Sequence, residues 1–142
     1  MKEHYDVIIL GAGAAGLMCA ITAAKRDKTV LVLEKSNKPG KKILMSGGGR
    51  CNFTNLYVEA EHFLSNNPHF CKSALKMFTP ENFISMVEAH GIAYEEKKHH
   101  QLFCINSAKD ILNMLLAECR KAGVEVHTSM EVNKVRKQAE SA

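Results

Sequence analysis

Apolar residues fall in short unbroken runs at the start of the chain and in helically spaced stripes further along. Tyr5–Leu10 (YDVIIL) is a β-branched run without alternation, the pattern of a parallel strand buried on both faces. Gly11 breaks it. From Ala14 to about Lys25 the residues are small or straight-chained helix formers, apolar nearly all round, which predicts a helix covered on several sides. Lys25, Arg26 and Lys28 follow at its carboxyl end, where cations suit the helix dipole. Thr29–Leu33 (TVLVL) is a second apolar strand, closed by Glu34. Strand, helix and strand over residues 5–34 make a βαβ unit.

The pattern then changes. Residues 36–55 are rich in glycine, lysine and asparagine and read as one long loop, the kind that is ordered for a purpose. Residues 56–106 read as a helical and hairpin excursion. Within it Thr79 caps a helix with Pro80 in its first turn, Phe83, Ile84 and Val87 form the buried stripe, and Gly91 ends it. Ile92–Ile105 predicts a hairpin turning near Lys98–His99, with Tyr94 on one arm and Leu102 and Phe103 on the other. Residues 107–128 give a helix and a third parallel strand. Ser107 and Asp110 resemble a capping box, Ile111, Leu112, Leu115 and Cys119 keep helical spacing, and Gly123 precedes the strand Val124–Thr128. Glu131–Val135 starts another extended piece. The fold class is α/β, with a Rossmann-type parallel sheet.

Composition narrows the class without changing this reading. The chain has 142 residues, enough for one domain, with 46% hydrophobic and 24% charged residues, so neither a disordered nor a fibrous chain is indicated. The net charge of +4 is scattered, densest at Lys41–Lys42, Lys97–Lys98 and Arg120–Lys121, and suits solvated surface lysines better than a track for a polyanion. Five cysteines, odd in number and without a CxxC pair, point to a reducing compartment and hence the cytoplasm. The uncharged run Val7–Ala24 could imitate a signal peptide or membrane span. Glu3 and Asp6 just upstream, and Gly11, Gly13 and Gly16 dividing the run, argue for strand plus helix and no membrane.

The chemistry starts at Gly11-Ala12-Gly13-Ala14-Ala15-Gly16, set between a strand and a helix. Gly11 permits the tight turn, Gly13 lets a diphosphate approach the backbone, and Gly16 lets helix and strand pack closely. The helix start, at Ala14 and Ala15, offers free N–H groups and the positive end of its dipole. An acid ends the next strand at Glu34, about twenty residues on, placed to accept ribose hydroxyls. Glu34 would repel a 2′-phosphate, which disfavours NADP in this position. FAD and NAD both present a diphosphate and an adenosine ribose, so the fingerprint leaves the two open.

The segment Gly40-Lys41-Lys42-Ile43-Leu44-Met45-Ser46-Gly47-Gly48-Gly49-Arg50-Cys51-Asn52-Phe53-Thr54-Asn55 resembles the signature of the BaiN-like NAD(P)/FAD-dependent oxidoreductases, also called aminoacetone-oxidase-like flavoproteins. The similarity runs on through Gln101–Cys104 and the Ser107–Gly123 helix to Glu131-Val132, and is to the amino-terminal portion of a longer protein. It implies FAD in the first site, NAD(P)H as electron donor, and an acceptor with an activated C=C bond, either a small molecule or a pyrimidine ring in RNA. It also implies that Ser46, Gly47, Gly48, Gly49, Arg50, Cys51 and Asn52 run along the diphosphate and ribityl chain, that Val132 lies at the adenine edge, and that Lys35 is among the cofactor-binding residues. Consecutive glycines expose N–H groups to an anion, and Lys42 and Arg50 can neutralise phosphate charge. NAD-dependent dehydrogenases have no use for such a loop here.

Cys51 invites comparison with redox disulfides, but position 56 is Leu, so the CxxxxC partner is missing and Cys51 reads as a packing residue or flavin neighbour. His99–His100 has no third ligand at useful spacing, and no metal is expected. No catalytic acid or base can be nominated, because the resemblance assigns the substrate pocket to later parts of the longer proteins. Two functions follow: an oxidoreductase domain, or a truncated FAD domain that binds nucleotide without turnover. The sequence does not fix an oligomeric state.

Overall fold

β1 (Val7–Leu10) and β2 (Val30–Leu33) form where the β-branched runs lie, and they pair in parallel from Val7 opposite Val30 to Leu10 opposite Leu33. Their start is locked by side chains. Asp6 Oδ2 accepts from the Thr29 N–H (2.7 Å) and from Thr29 Oγ1 (2.8 Å), and the Asp6 N–H donates to Thr29 Oγ1 (2.9 Å). Between the strands runs α1 (Ala14–Ala24), whose Leu17, Ala20 and Ile21 are buried. β6 (Glu125–His127) pairs in parallel with the other edge of β2, giving the order β1–β2–β6.

The computed structural model describes residues 1–137. This parallel sheet belongs to a unit made of Met1–Lys41 and the chain from Leu115 onward; Lys42–Met114 forms a second unit. α5 (Lys109–Lys121) starts in the second and ends in the first. Its carboxyl half is tied to α1 by Cys119, whose thiol donates to the Leu17 carbonyl, and by the Lys25–Glu118 ion pair at 3.3 Å.

The second unit is an antiparallel sheet, order β3–β5–β4, made of β3 (Asn52–Asn55), β4 (Tyr94–Glu96) and β5 (Gln101–Cys104). The hairpin expected over residues 92–105 is there, turning through a 3-10 turn at Lys98–His100. α3 (Lys72–Met77) precedes α4 (Pro80–Ala89), which has Thr79 as N-cap and Pro80 at its start, and Gly91 leaves α4 with φ +64°. Phe53 of β3 packs against Phe83 of α4 and Tyr94 of β4, with ring centroids 5.9 and 5.7 Å apart.

Four expectations need correction. Residues 36–55 are not one loop: they hold α2 (Lys41–Met45), a 3-10 turn over Ser46–Gly49 and β3. β1 is not buried on both faces, since it is an edge strand with Ile8 and Leu10 56% and 58% exposed. α1 is covered on one side only, with Ala14, Ala15, Cys19 and Thr22 exposed. Residues 131–135 form no strand. At α5 the Ser107 hydroxyl accepts from the Lys109 N–H (3.1 Å) as a simple cap. The uncharged run Val7–Ala24 resolves into a four-residue strand and an 11-residue helix. Among the described residues no helix is long and apolar enough to cross a membrane.

Candidate functional site

The glycines of the β1–α1 turn differ in what surrounds them. Gly11 has φ +103°, a backbone state that L side chains rarely adopt. Gly16 is packed: a Cβ there would lie 2.0 Å from the Gly11 carbonyl oxygen and 3.3 Å from the Ile9 side chain. Gly13 is the opposite case. Its backbone is ordinary (φ −87°, ψ −174°), and nothing lies within 4 Å of a Cβ built on it. Gly13 is the N-cap of α1 and supplies no capping side chain; the helix ladder begins with the Leu17 N–H on the Gly13 carbonyl, 2.9 Å. The N–H groups of Ala14, Ala15 and Gly16 precede that bond and belong to the helix end that attracts anions. The turn thus has an open cradle at Gly13, walled by a close-packed Gly16.

Glu34 stands beside this turn. Its Oε2 accepts from the Ala12 N–H and its Oε1 from the Ser36 N–H, both at 2.8 Å. These two bonds, that from Ser36 the larger influence, hold the Glu34 carboxyl below its usual pKa, so it is an anion at neutral pH. Each oxygen keeps a lone pair for a further donor. Gly40 secures the other side, its N–H donating to the Ala12 carbonyl at 2.8 Å. The segment after β6 returns to the same place. Met130 N–H donates to the Glu34 carbonyl (2.9 Å), Ser129 N–H to the Ser36 carbonyl (2.8 Å), and Glu131 pairs with Lys35 at 2.7 Å. Val132, 38% exposed, follows directly. Gly11, Gly13, Ala14, Ala15, Gly16, Glu34, Lys35 and Val132 therefore belong to one unit.

Lys42 and Ser46–Asn52 belong to the other. Gly47, Gly48, Gly49 and Cys51 all have positive φ, from 51° to 85°, so the chain winds through left-handed residues interrupted only at Arg50. Gly47 is jammed: a Cβ would sit 2.7 Å from the Asn52 nitrogen and 2.8 Å from the Phe103 ring. Gly48 and Gly49 face open space. The loop is pinned at its rim, Ala108 N–H donating to the Gly49 carbonyl (2.7 Å), Cys104 N–H to Arg50 (2.9 Å), and the Arg50 guanidinium to the Ile105 carbonyl. Ser46 Oγ donates to the Ile43 carbonyl at 2.7 Å. In the orientation that satisfies its hydrogen bonds, the Asn52 carboxamide donates to the carbonyls of Leu102 and Thr54, at 3.1 and 3.0 Å.

Cys51 is 6% exposed and burial raises its thiol pKa; burial pushes the Cys104 thiol up to about 11. Both shifts favour the neutral thiol over the thiolate. All five cysteines are free, and no group of three metal-binding side chains occurs among the described residues.

Residues 5–142 match the family described as the HI0933-like protein Rossmann domain. The chain belongs to that family. HI0933-like domains of this kind fall among the FAD-binding oxidoreductases. The chain is 55% identical over 135 residues to the "Ribosomal RNA dihydrouridine synthase" of Escherichia coli (strain K12), covering 95% of this chain and 34% of that protein. It is 31% identical over 130 residues to the "3-dehydro-bile acid delta(4,6)-reductase" of Clostridium scindens, covering 90% and 32%. The chain thus spans about a third of the length of these curated relatives. The fold is shared with the crystal structure of glycine oxidase from Bacillus cereus ATCC 14579, with TM-score 0.61 at 16% identity, covering 95% of this chain and 50% of that one. The relatives refine the resemblance to BaiN-like flavoproteins: the bile acid reductase is the more distant of the two, and the ribosomal RNA enzyme much nearer.

Sequence reasoning did not find Ser36, Gly40 or Phe103, whose parts in the two loops depend on contacts with no local signature. Pro39-Gly40 marks a turn, but nothing in it announces a bond to Ala12.

Proposed function

We propose that this domain holds FAD for a cytoplasmic oxidoreductase that draws on NAD(P)H and reduces an activated C=C bond, and that the acceptor is a pyrimidine ring of ribosomal RNA. The observation that carries the cofactor reading is the open cradle at Gly13 at the start of an 11-residue helix, beside an ionised Glu34. A diphosphate fits that space and can accept from the N–H groups of Ala14, Ala15 and Gly16. The free lone pairs of Glu34 suit the two ribose hydroxyls, and the backbone at Val132, next to the Lys35–Glu131 pair, suits an adenine edge. Open space over Gly48 and Gly49 favours a ligand against the second loop, where Lys42 and Arg50 add positive charge. When bound, the flavin supplies hydride transfer, and the protein supplies position and field.

The RNA acceptor is supported by the 55% identity to the ribosomal RNA enzyme, against 31% to the bile acid reductase. A reducing compartment is supported by the five cysteines, odd in number and without a CxxC pair. The test has two stages. Purified protein should carry or take up FAD, seen as the yellow flavin spectrum, and should then oxidise NAD(P)H in the presence of uridine-containing RNA. Digested RNA should contain dihydrouridine, heavier than uridine by one hydride and one proton. Folded protein that takes up no FAD would refute the cofactor reading, and FAD uptake without any NAD(P)H oxidation would leave a binding-only module.

A further inference from the structure

The exit of β3 and the turn between β4 and β5 border an open surface cavity of about 580 Å³ within the second unit, lined chiefly by Asn55, Tyr57, His62, Phe63, His99 and His100. Its construction is unusual. His99 and His100 are both left-handed, with φ 59° and 60°, a costly state for two non-glycine residues in succession. The chain holds them there. Asn55 Nδ2 donates to the His99 carbonyl at 2.7 Å, the Leu56 N–H donates to the His100 carbonyl at 3.0 Å, and Asn55 Oδ1 accepts from the Tyr57 N–H at 2.9 Å. Strain maintained by surrounding bonds is characteristic of recognition sites.

The lining has a definite chemistry. Tyr57 is 60% exposed and meets the His100 ring nearly perpendicularly, centroids 4.6 Å apart, while Glu96 fixes His100 through its Nδ1 at 2.7 Å. His62 Nδ1 accepts from the Glu59 N–H (3.3 Å), which leaves Nε2–H as a donor. Three imidazoles here do not make a metal centre among the described residues. The cations of the turn differ: Lys97 is paired with Glu95 at 3.5 Å and lies over the Phe103 ring, whereas Lys98 has no acidic partner among the described residues. A half-exposed aromatic ring, a fixed donor and an unpaired cation together suit a flat, hydrogen-bonding ring attached to a phosphate.

We propose that this cavity takes an unpaired base of single-stranded RNA, stacked on Tyr57, with a neighbouring phosphate at Lys98. This rests on the RNA reading of the function and adds which residues of the second unit hold the RNA. Stacking on aromatic side chains and cationic contact to the backbone are how single strands are generally bound.

The experiment uses the purified FAD-loaded protein and an oligouridylate of about 12 nucleotides. Its 4-thiouridine form should photo-crosslink to the 55–63 or 98–100 segments, located by mass spectrometry on the unmodified protein. Tyr57→Ala should weaken binding by about 5- to 100-fold and Tyr57→Phe by far less. Lys98→Ala should make the slope of log affinity against log salt shallower by about 0.7. NAD(P)H oxidation with a dye acceptor should be unchanged in these variants. Equal affinity in Tyr57→Ala with crosslinks elsewhere would overturn the cavity while leaving the RNA reading intact. Absence of any RNA binding by the unmodified protein at low salt would overturn both. A raised KM for NAD(P)H in Tyr57→Ala, with RNA affinity unchanged, would assign the cavity to the electron donor instead.

Discussion

Gly13 and Gly16 lie three positions apart and are required for opposite reasons. At Gly16 a side chain would collide with the Gly11 carbonyl at 2.0 Å, so the protein itself excludes it; at Gly13 the protein leaves room and the backbone suits any residue. Gly13→Val should therefore fold with nearly unchanged helix content yet fail to retain FAD, because the branched side chain fills space reserved for the diphosphate. Circular dichroism beside flavin absorbance checks this, and stoichiometric FAD in the variant would contradict it. Glu34 yields a pH prediction. Its folded-state pKa is lowered by the Ser36 and Ala12 N–H groups, so its stabilising contribution is complete above the unfolded carboxyl value, about 4.3, and is lost as pH falls through the lower folded value. Glu34→Gln keeps an acceptor but no charge. The melting-temperature gap between the two proteins should be constant above about pH 5 and should shrink below about pH 4. A gap that persists undiminished through the acid range would remove the carboxylate from this account.

Among elements, the ones whose pattern is local were readable from the chain. β2 has an apolar run, α4 has Thr79-Pro80 and Gly91, and the β4–β5 arms flank a polar turn, so each reveals itself within a dozen residues. β3 does not. Asn52–Asn55 is NFTN, with one large apolar residue, and its strand character comes from pairing with Phe103 and Leu102 some fifty positions away. β1 departs from the two-sided burial its sequence predicts for a related reason: an apolar run records which residues tolerate burial, while exposure of Ile8 and Leu10 depends on which neighbours are present. In the candidate site the glycine positions and Glu34 could be read from spacing, but the contacts that fix them, through Ser36, Gly40 and Phe103, could not. The Ser46–Asn52 turn permits a direct comparison. Gly48→Ala meets open space and should cost only the left-handed backbone penalty, about 1–2 kcal/mol. Gly47→Ala must in addition displace the Phe103 ring or the start of β3, adding about 1–3 kcal/mol. Denaturant melts of the two variants should rank them in that order, and equal losses would mean that the turn yields more readily than its packing implies.

On the scale of the whole molecule, two sheets of different construction carry the two loops, a parallel one behind Gly11–Gly16 and an antiparallel one behind Ser46–Asn52. In the parallel sheet the edge position of β1 has a further result. Val7 and Gly11 send their N–H groups to Thr29 and Leu33 across the ladder, at 3.1 and 2.8 Å. Alternation along the strand directs those of Ile8 and Leu10 the other way, to the margin where no strand pairs among the described residues. In deuterated water the strand should therefore label itself as a comb, with Ile8 and Leu10 exchanging early and Val7, Ile9 and Gly11 late, a contrast readable by amide NMR. Uniform protection would mean that the margin is already closed in solution. Because the two sets of amides share one strand, each calibrates the other: slowed uptake at Ile8 and Leu10 alone would time the arrival of a neighbouring strand, whereas slowing of all five would report a change in the sheet itself.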